Sequence, residues 1–488
     1  MALSSDTHAG LVSGSIGLVS RAAIQLCLLV VTIVATRYLP IAEFGVYSIA
    51  ASLMFLSRNL FYVGPYEYLL KTPDNPHLKG ACFLANVALA VLASIGLALF
   101  SLIAPKLFDT ASVSTVLLWL IPSVFLAAAT SWYESILLRK LRVRQYYVLT
   151  VLGELVGMIV AIKLLASGFG LLSLVAQIYG RLGVLLILYM IKCDDRPWRS
   201  TTIAETARVI NWSWSRYTAV FLNFTSSYGA DFILGALLSP AATGIYRASN
   251  RIVSALTDLF VQPLQKIVQT NVSARSARGL PPNTAWIDMF TGVAPIAWAA
   301  LAGLAVAADD IVPLVLGEKW HVAAPVVVVF CVVRAFGLID ATTTSLLICC
   351  DRQRFMLRVQ ITIASLVLLT SAALASHGPR TVAIATGCIL AGLSLVYCRE
   401  AARLSGASMR RLAGAIAVAL TPAVFVVLSV EILRLIEPAP ADLAWTPVIH
   451  TAMAAAAGMI AGLVIVRRPL LSSIGQLSHV GHAAEARA

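Results

Sequence analysis

Charge is scarce in this sequence. Only 12% of its 488 residues are Asp, Glu, Lys or Arg, while 59% are hydrophobic. Soluble domains carry about 25% charged residues to cover their surface, so an ordinary water-soluble protein is excluded. No polar stretch is long enough to hold a separate catalytic domain. The G-x-x-x-x-G-K-[ST] loop is absent, which removes P-loop ATP hydrolysis. Neither H-E-x-x-H nor a metal-spaced Cys/His cluster occurs. The eight cysteines form no C-x-x-C pair and mostly sit in apolar runs, so they read as small packing residues. The N-terminus lacks a basic n-region and an A-x-A-type cleavage site, and its first apolar run is expected to be a retained helix.

What is present is one apolar run after another. A helix needs about 20 mainly apolar residues to cross the hydrocarbon core. Fourteen such spans are predicted, from 13–37 to 446–466, with the seventh and eighth over 213–238 and 240–265. The fold class is therefore all-α and polytopic, because backbone groups in lipid must be satisfied within each segment. The net charge of +13 would suggest nucleic acid in a soluble chain. Here the cations sit in short loops. With the N-terminus taken as cytoplasmic, the inner loops and tail hold 23 Lys and Arg and the outer ones 6. That bias predicts a multi-pass inner-membrane protein with both termini cytoplasmic and no nucleic-acid partner. Asn271-Val-Ser273 matches a glycosylation sequon, but it falls in a predicted cytoplasmic loop and reads as chance.

Two internal echoes give an organisation. Leu39–Tyr47 resembles Leu238–Tyr246, and Leu137–Tyr146 resembles Leu346–Phe355. Both echoes fall at equivalent places in two sets of six spans. Six is even, so the halves would insert in the same orientation. The predicted domains are 1–200 and 201–405, each a six-helix bundle, 406–470 with two extra spans, and a cytoplasmic tail over 471–488.

Polar residues within the spans are the candidate functional groups. Seven arginines lie in or at the ends of spans: Arg21, Arg58, Arg181, Arg216, Arg247, Arg251 and Arg334. Each costs roughly 2.5–3.5 kcal/mol at a helix centre, so such residues face protein or water. No lysine lies as deep, and guanidinium is the better bidentate partner for phosphate. Helical spacing places Arg247, Asn250, Arg251, Ser254 and Asp258 on one face of span 8. Span 7 aligns Arg216, Asn223, Ser227 and Asp231. Span 1 aligns Arg21 and Gln25 with small and hydroxyl residues. Span 2 aligns Ser48, Ser52, Asn59 and Tyr66, with Arg58 beside them. Matching stripes on spans 1, 2, 7 and 8 predict a hydrated cleft between the halves. The structural alternative pairs Arg181 with Glu154 and Arg251 with Asp258, and lets Arg58 and Arg216 snorkel to the helix ends. Arg247 and Arg251 are like charges one turn apart, which an anion between them would relieve.

The turn Arg37-Tyr-Leu-Pro-Ile-Ala-Glu-Phe-Gly-Val-Tyr47 resembles the first interhelical turn of Wzx-type polysaccharide flippases, in the multidrug/oligosaccharidyl-lipid/polysaccharide superfamily. Asp231–Gly235 running to Gly244-Ile-Tyr246 is similar to the corresponding turn of their second half. Leu316–Trp320 followed by Ala324-Pro325 also resembles them. The resemblance implies two six-helix bundles, alternating access, and translocation of an undecaprenyl-diphosphate-linked oligosaccharide for exopolysaccharide, capsule or O-antigen assembly. It implies an anionic-headgroup site on helices 1, 2 and 8, matched here by Arg21, Arg58 and Arg251 or Arg247. Gln25, Asn59, Asn223 and Asn250 complete the expected substrate-binding set. No catalytic residue, metal or cofactor is expected. Asp231 and Asp258 are the candidate carriers for a proton or sodium gradient. The partners implied are the polyprenyl-diphosphate-linked oligosaccharide, membrane lipids, a polysaccharide polymerase and a chain-length regulator. In the lipid II flippase branch, extra helices 13 and 14 form a groove for the lipid tail. Two alternatives stand beside this reading. A drug or cation antiporter of the same superfamily would want a net acidic cavity. A membrane polymerase or ligase would want a large outer loop.

Overall fold

The computed structural model describes residues 3–72, 76–196, 201–277, 280–281, 283–436 and 446–471. The tail expected over 471–488 lies outside them apart from Leu471, as do the loop cations Arg199, Arg278 and Arg487. Every regular element among the described residues is helical. In chain order these are α1 (Leu3–Tyr38), α2 (Ile41–Val63), α3 (Pro65–Lys71), α4 (Pro76–Leu107), α5 (Ala111–Arg139), α6 (Val143–Ala166), α7 (Leu171–Lys192) and α8 (Ile203–Leu237). There follow α9 (Pro240–Ala277), α10 (Ala285–Val306), α11 (Ala308–Leu316), α12 (Ala324–Cys349), α13 (Gln353–Leu374), α14 (Pro379–Ser405), α15 (Met409–Ile436) and α16 (Thr446–Ile465). Short 3-10 turns precede α12 and follow α13.

Among the described residues, 12 helical stretches are long and apolar enough to cross a membrane, where the sequence suggested fourteen. The two long helices outside that set are α8, of 35 residues, and α9, of 38. Length is not what they lack. Arg208, Arg216 and Asp231 interrupt α8, and Arg247, Arg251, Asp258 and Lys266 interrupt α9. Their ends are well specified. Thr202 caps α8 through a reciprocal capping box with Glu205. Pro240 opens α9, where its missing N–H would have had no intrahelical partner.

The chain divides into two compact units. The first comprises Met1–Arg247 and Ser371–Gly378. In it α4 packs along α5, α6 along α7, and α1 along α6, while α2 and α8 lean on one another. Its core is aliphatic and aromatic, with Ile49, Phe61, Leu117, Leu120 and Val124 fully buried. The helix α2 breaks at Gly64, and Tyr217 of α8 fills the space there. A Cβ on Gly64 would lie 2.2 Å from the Tyr217 hydroxyl.

The second unit comprises Ala248–Thr370 and Pro379–Ala488. Here α10 is central, packed by α12 and α15, and α16 lies against α15 and α10. Leu264, Val268 and Val272 of α9 share a core with Trp286, Phe290 and Leu338. Five of the eight cysteines are buried in their units and none is in a disulfide.

Candidate functional site

The seven arginines divide by what surrounds them. In the first unit, Arg181 donates from Nη1 to Glu154 Oε1 at 2.8 Å, joining α7 to α6. Arg216 donates to Glu67 Oε2 at 2.9 Å, and its guanidinium lies 3.7 Å above the Trp212 ring. These placements agree with the structural alternative for Arg181 and replace snorkelling at Arg216 with a pair.

Arg247 lies with its Nη2 2.9 Å from Asp231 Oδ2. Its guanidinium also stands 4.0 Å over the Tyr228 ring. Asp231 is fully buried, and Thr243 donates to its backbone carbonyl at 2.8 Å. The sequence assigned Arg247 to an anion and Asp231 to a cation. The fold sets the two against each other across the α8–α9 turn. A buried charge without a partner is far more costly than a buried pair, and each residue supplies what the other needs.

Arg58 differs from these three. No carboxylate pairs with it among the described residues. Its guanidinium is held between the rings of Phe55, at 6.0 Å, and Tyr62, at 5.6 Å. Its Nε is buried without a hydrogen-bond partner. Cation–π attraction offsets part of its desolvation cost and leaves hydrogen-bond donors unused. On α1, Gln25 Oε1 is also buried and without a partner, while Arg21 is exposed. Asn59 is half-buried and Asn223 exposed.

In the second unit, Asn250 is engaged. Its Oδ1 accepts from Arg334 Nη2 at 2.7 Å and Nε at 3.2 Å. The charges of Arg334 and Arg251 act on Asp258. Thus Asn250, Arg251 and Asp258 are brought into one neighbourhood, with Arg334 as an added member.

A group the stripes did not single out completes the first unit. Glu134, near the end of α5, is 7% exposed. Tyr62 donates to its Oε2 at 2.6 Å and Tyr66 to its Oε1 at 3.4 Å. Tyr146 of α6 joins this cluster, and Arg58 is close enough to act on its charge. The donors come from α2, α3 and α6, so no local spacing in the sequence could have gathered them. The sequence signals were an acid placed inside an apolar span and Tyr66 in the polar stripe of span 2.

A model of the polysaccharide biosynthesis protein family matches residues 34–325, more than half of the chain. The chain belongs to this family. As a polysaccharide biosynthesis protein it is similar in fold to the solved lipid II flippase MurJ in an inward closed conformation. That match has a TM-score of 0.75 at 12% identity, over 94% of this chain and 100% of the other. It is similar also to an inward-facing multidrug resistance MATE transporter of the MOP superfamily, with a TM-score of 0.61 at 12% identity, over 79% of this chain and 96% of that one. The eukaryotic MATE transporter AtDTX14 matches at 0.53 and 12% identity, over 81% and 99%. At these identities the likeness establishes the fold alone. No curated protein matches the sequence.

Proposed function

We propose that this polysaccharide biosynthesis protein is a flippase that carries a polyprenyl-diphosphate-linked oligosaccharide from the cytoplasmic to the outer leaflet of a bacterial inner membrane. A hydrated sugar cannot enter hydrocarbon without losing its water, so polar helix faces must replace that water while the prenyl tail stays in lipid. In this reading α8 and α9 also cross the membrane, which brings the spans to fourteen. Their charges are tolerated because they face protein or water. Both termini are cytoplasmic, and the six-helix halves over 1–200 and 201–405 rock against each other in alternating access.

The observation that carries the reading is Arg58. A half-buried arginine with no carboxylate partner among the described residues and a buried, unused Nε donor suits a bidentate phosphate oxyanion. Arg21 and Gln25 of α1 and Asn59 of α2 join it as candidate headgroup contacts in the first unit. Arg251 and Asn250 do so in the second. Asn223 would meet the sugar. Arg247 and Asp231 act in this scheme as a pair that holds the α8–α9 turn. Energy would come from an ion gradient or from consumption of the product outside by a polymerase working with a chain-length regulator.

The test is genetic and chemical. Deleting the gene in its native host should leave lipid-linked repeat units accumulating in the inner leaflet, and Arg58→Glu should reproduce that accumulation while the protein still inserts. Normal polymer output from Arg58→Glu would remove the anion role, and export of single, unpolymerised units on deletion would point to a polymerase instead.

A further inference from the structure

Glu134 is set apart from the other buried acids of its unit. Glu154 has Arg181 at 2.8 Å and Asp231 has Arg247 at 2.9 Å. Glu134 has no ion pair with any described residue, and its partners are hydroxyls. The groups facing it can be named helix by helix. From α2 come Arg58 and Tyr62, from α3 Tyr66, from α6 Tyr146, and from α7 Tyr189. Other cations at this end are engaged elsewhere. On α5 itself, Arg139 donates to the carbonyls of Leu69 and Thr72. On α4, Lys79 is tied to Asp195 at 2.9 Å.

We infer that Glu134, within its cage of Tyr62, Tyr66 and Tyr146, is a proton-binding site of the first unit. The geometry accommodates both forms of the carboxyl. Ionised, it accepts from the Tyr62 and Tyr66 hydroxyls, and Arg58 lies in its field. Protonated, it keeps the Tyr62 donor on one oxygen, while the new O–H can donate to a neighbouring phenol oxygen, since tyrosine both gives and takes hydrogen bonds. Burial opposes charge, and hydroxyl donors with a nearby guanidinium favour it. These opposed influences leave either form accessible, whereas Glu154 and Asp231 each have an arginine in direct contact. A metal ion is the poorer fit, because the hydroxyls already point their hydrogens at the carboxyl and no further acid is at hand.

One consequence concerns Arg58. When the carboxyl gains a proton, Arg58 loses an opposing negative charge and holds an anion more strongly. That linkage rests on the flippase reading. The proton site does not.

Infrared difference spectroscopy on the purified full chain in lipid, titrated with pH, separates the two. A carboxylic C=O band should appear on acidification, vanish in Glu134→Gln and persist in Asp258→Asn. It should not change when choline replaces sodium at fixed pH. Tyr62→Phe keeps the volume and removes the shorter hydrogen bond, so the band should move to higher frequency. A band unaltered in Glu134→Gln would overturn the proposal. So would a band erased by sodium alone. If Glu134→Gln fails to fold, an unmoved band in Tyr62→Phe decides against it. None of these outcomes depends on what the protein transports.

Discussion

Gly45 of α2 and Gly244 of α9 meet backbone to backbone. A Cβ on Gly244 would sit 2.6 Å from the Ile41 carbonyl oxygen and 3.2 Å from the Gly45 nitrogen. A Cβ on Gly45 would sit 1.8 Å from the Pro240 carbonyl oxygen. The two glycines occupy the same place in the echoing segments Leu39–Tyr47 and Leu238–Tyr246. The repeat seen in the sequence is thus a pair of turns that lock together, each supplying the missing side chain the other requires.

Replacing either glycine should therefore destabilise the first unit. Gly244→Ala is expected to cost about 1–3 kcal/mol, the usual range for overpacking. Gly45→Ala should cost more, because its Cβ would come within 1.8 Å of a main-chain carbonyl oxygen, against 2.6 Å at Gly244. Thermal unfolding of the purified variants in detergent, followed by tryptophan fluorescence, checks the order.

The Asp231–Arg247 pair invites a double-mutant cycle. Asp231→Asn leaves Arg247 without its anion, and Arg247→Gln leaves a fully buried carboxylate. Each single change should cost about 3–5 kcal/mol, as for other broken buried pairs. The double variant should recover a large part of that loss. Additive losses would show that the 2.9 Å contact contributes little.

At the end of α7, Asp195 receives Lys79 and Lys140 together. Burial pushes its carboxyl up, but the two ammonium groups outweigh this and hold it below the usual aspartate value. The stabilisation from these contacts is present above the ordinary aspartate pKa. It is lost as pH falls through the lowered folded value. Asp195→Asn should lower the melting temperature at neutral pH, and the gap from wild type should close in strong acid. A melting series across pH measures it.

Arg58 offers a sharper chemical distinction than simple removal. Arg58→Lys keeps the charge but loses the planar fork and its hold between two rings. Surface polysaccharide should fall well below wild type in Arg58→Lys and disappear in Arg58→Glu. Arg181→Lys, in a residue already paired with Glu154, should leave most of the output intact. Quantifying extracted polymer per cell from matched strains tests the ranking.

The helical architecture was legible because lipid leaves a chain few options, and apolar runs of sufficient length announce themselves. The polar faces of α8 and α9 were legible too, since helical spacing is local. It placed Asn250, Arg251 and Asp258 on one face of α9. What spacing could not supply was which charge met which across a turn. Arg247 and Asp231 lie on different helices, and only the α8–α9 reversal brings them to 2.9 Å. The Glu134 cage was out of reach for the same reason, with its phenols contributed by three separate segments. Arg216 shows the converse. Its partner Glu67 lies 149 positions away, so a snorkelling side chain and a paired one look alike in sequence.

The polarity of α8 and α9 bears on how the protein is made. A translocating machine releases a segment sideways into lipid when that segment is greasy enough on its own account, and these two are not. On the proposed topology α8 must wait for company, and its neighbours α2, α3 and α4 have all left the ribosome before it. The buried part of α9 relies instead on α10 and α12, which are still to be synthesised. Biogenesis would then pause near the middle of the chain, with α9 held at the insertion machinery until those later helices arrive.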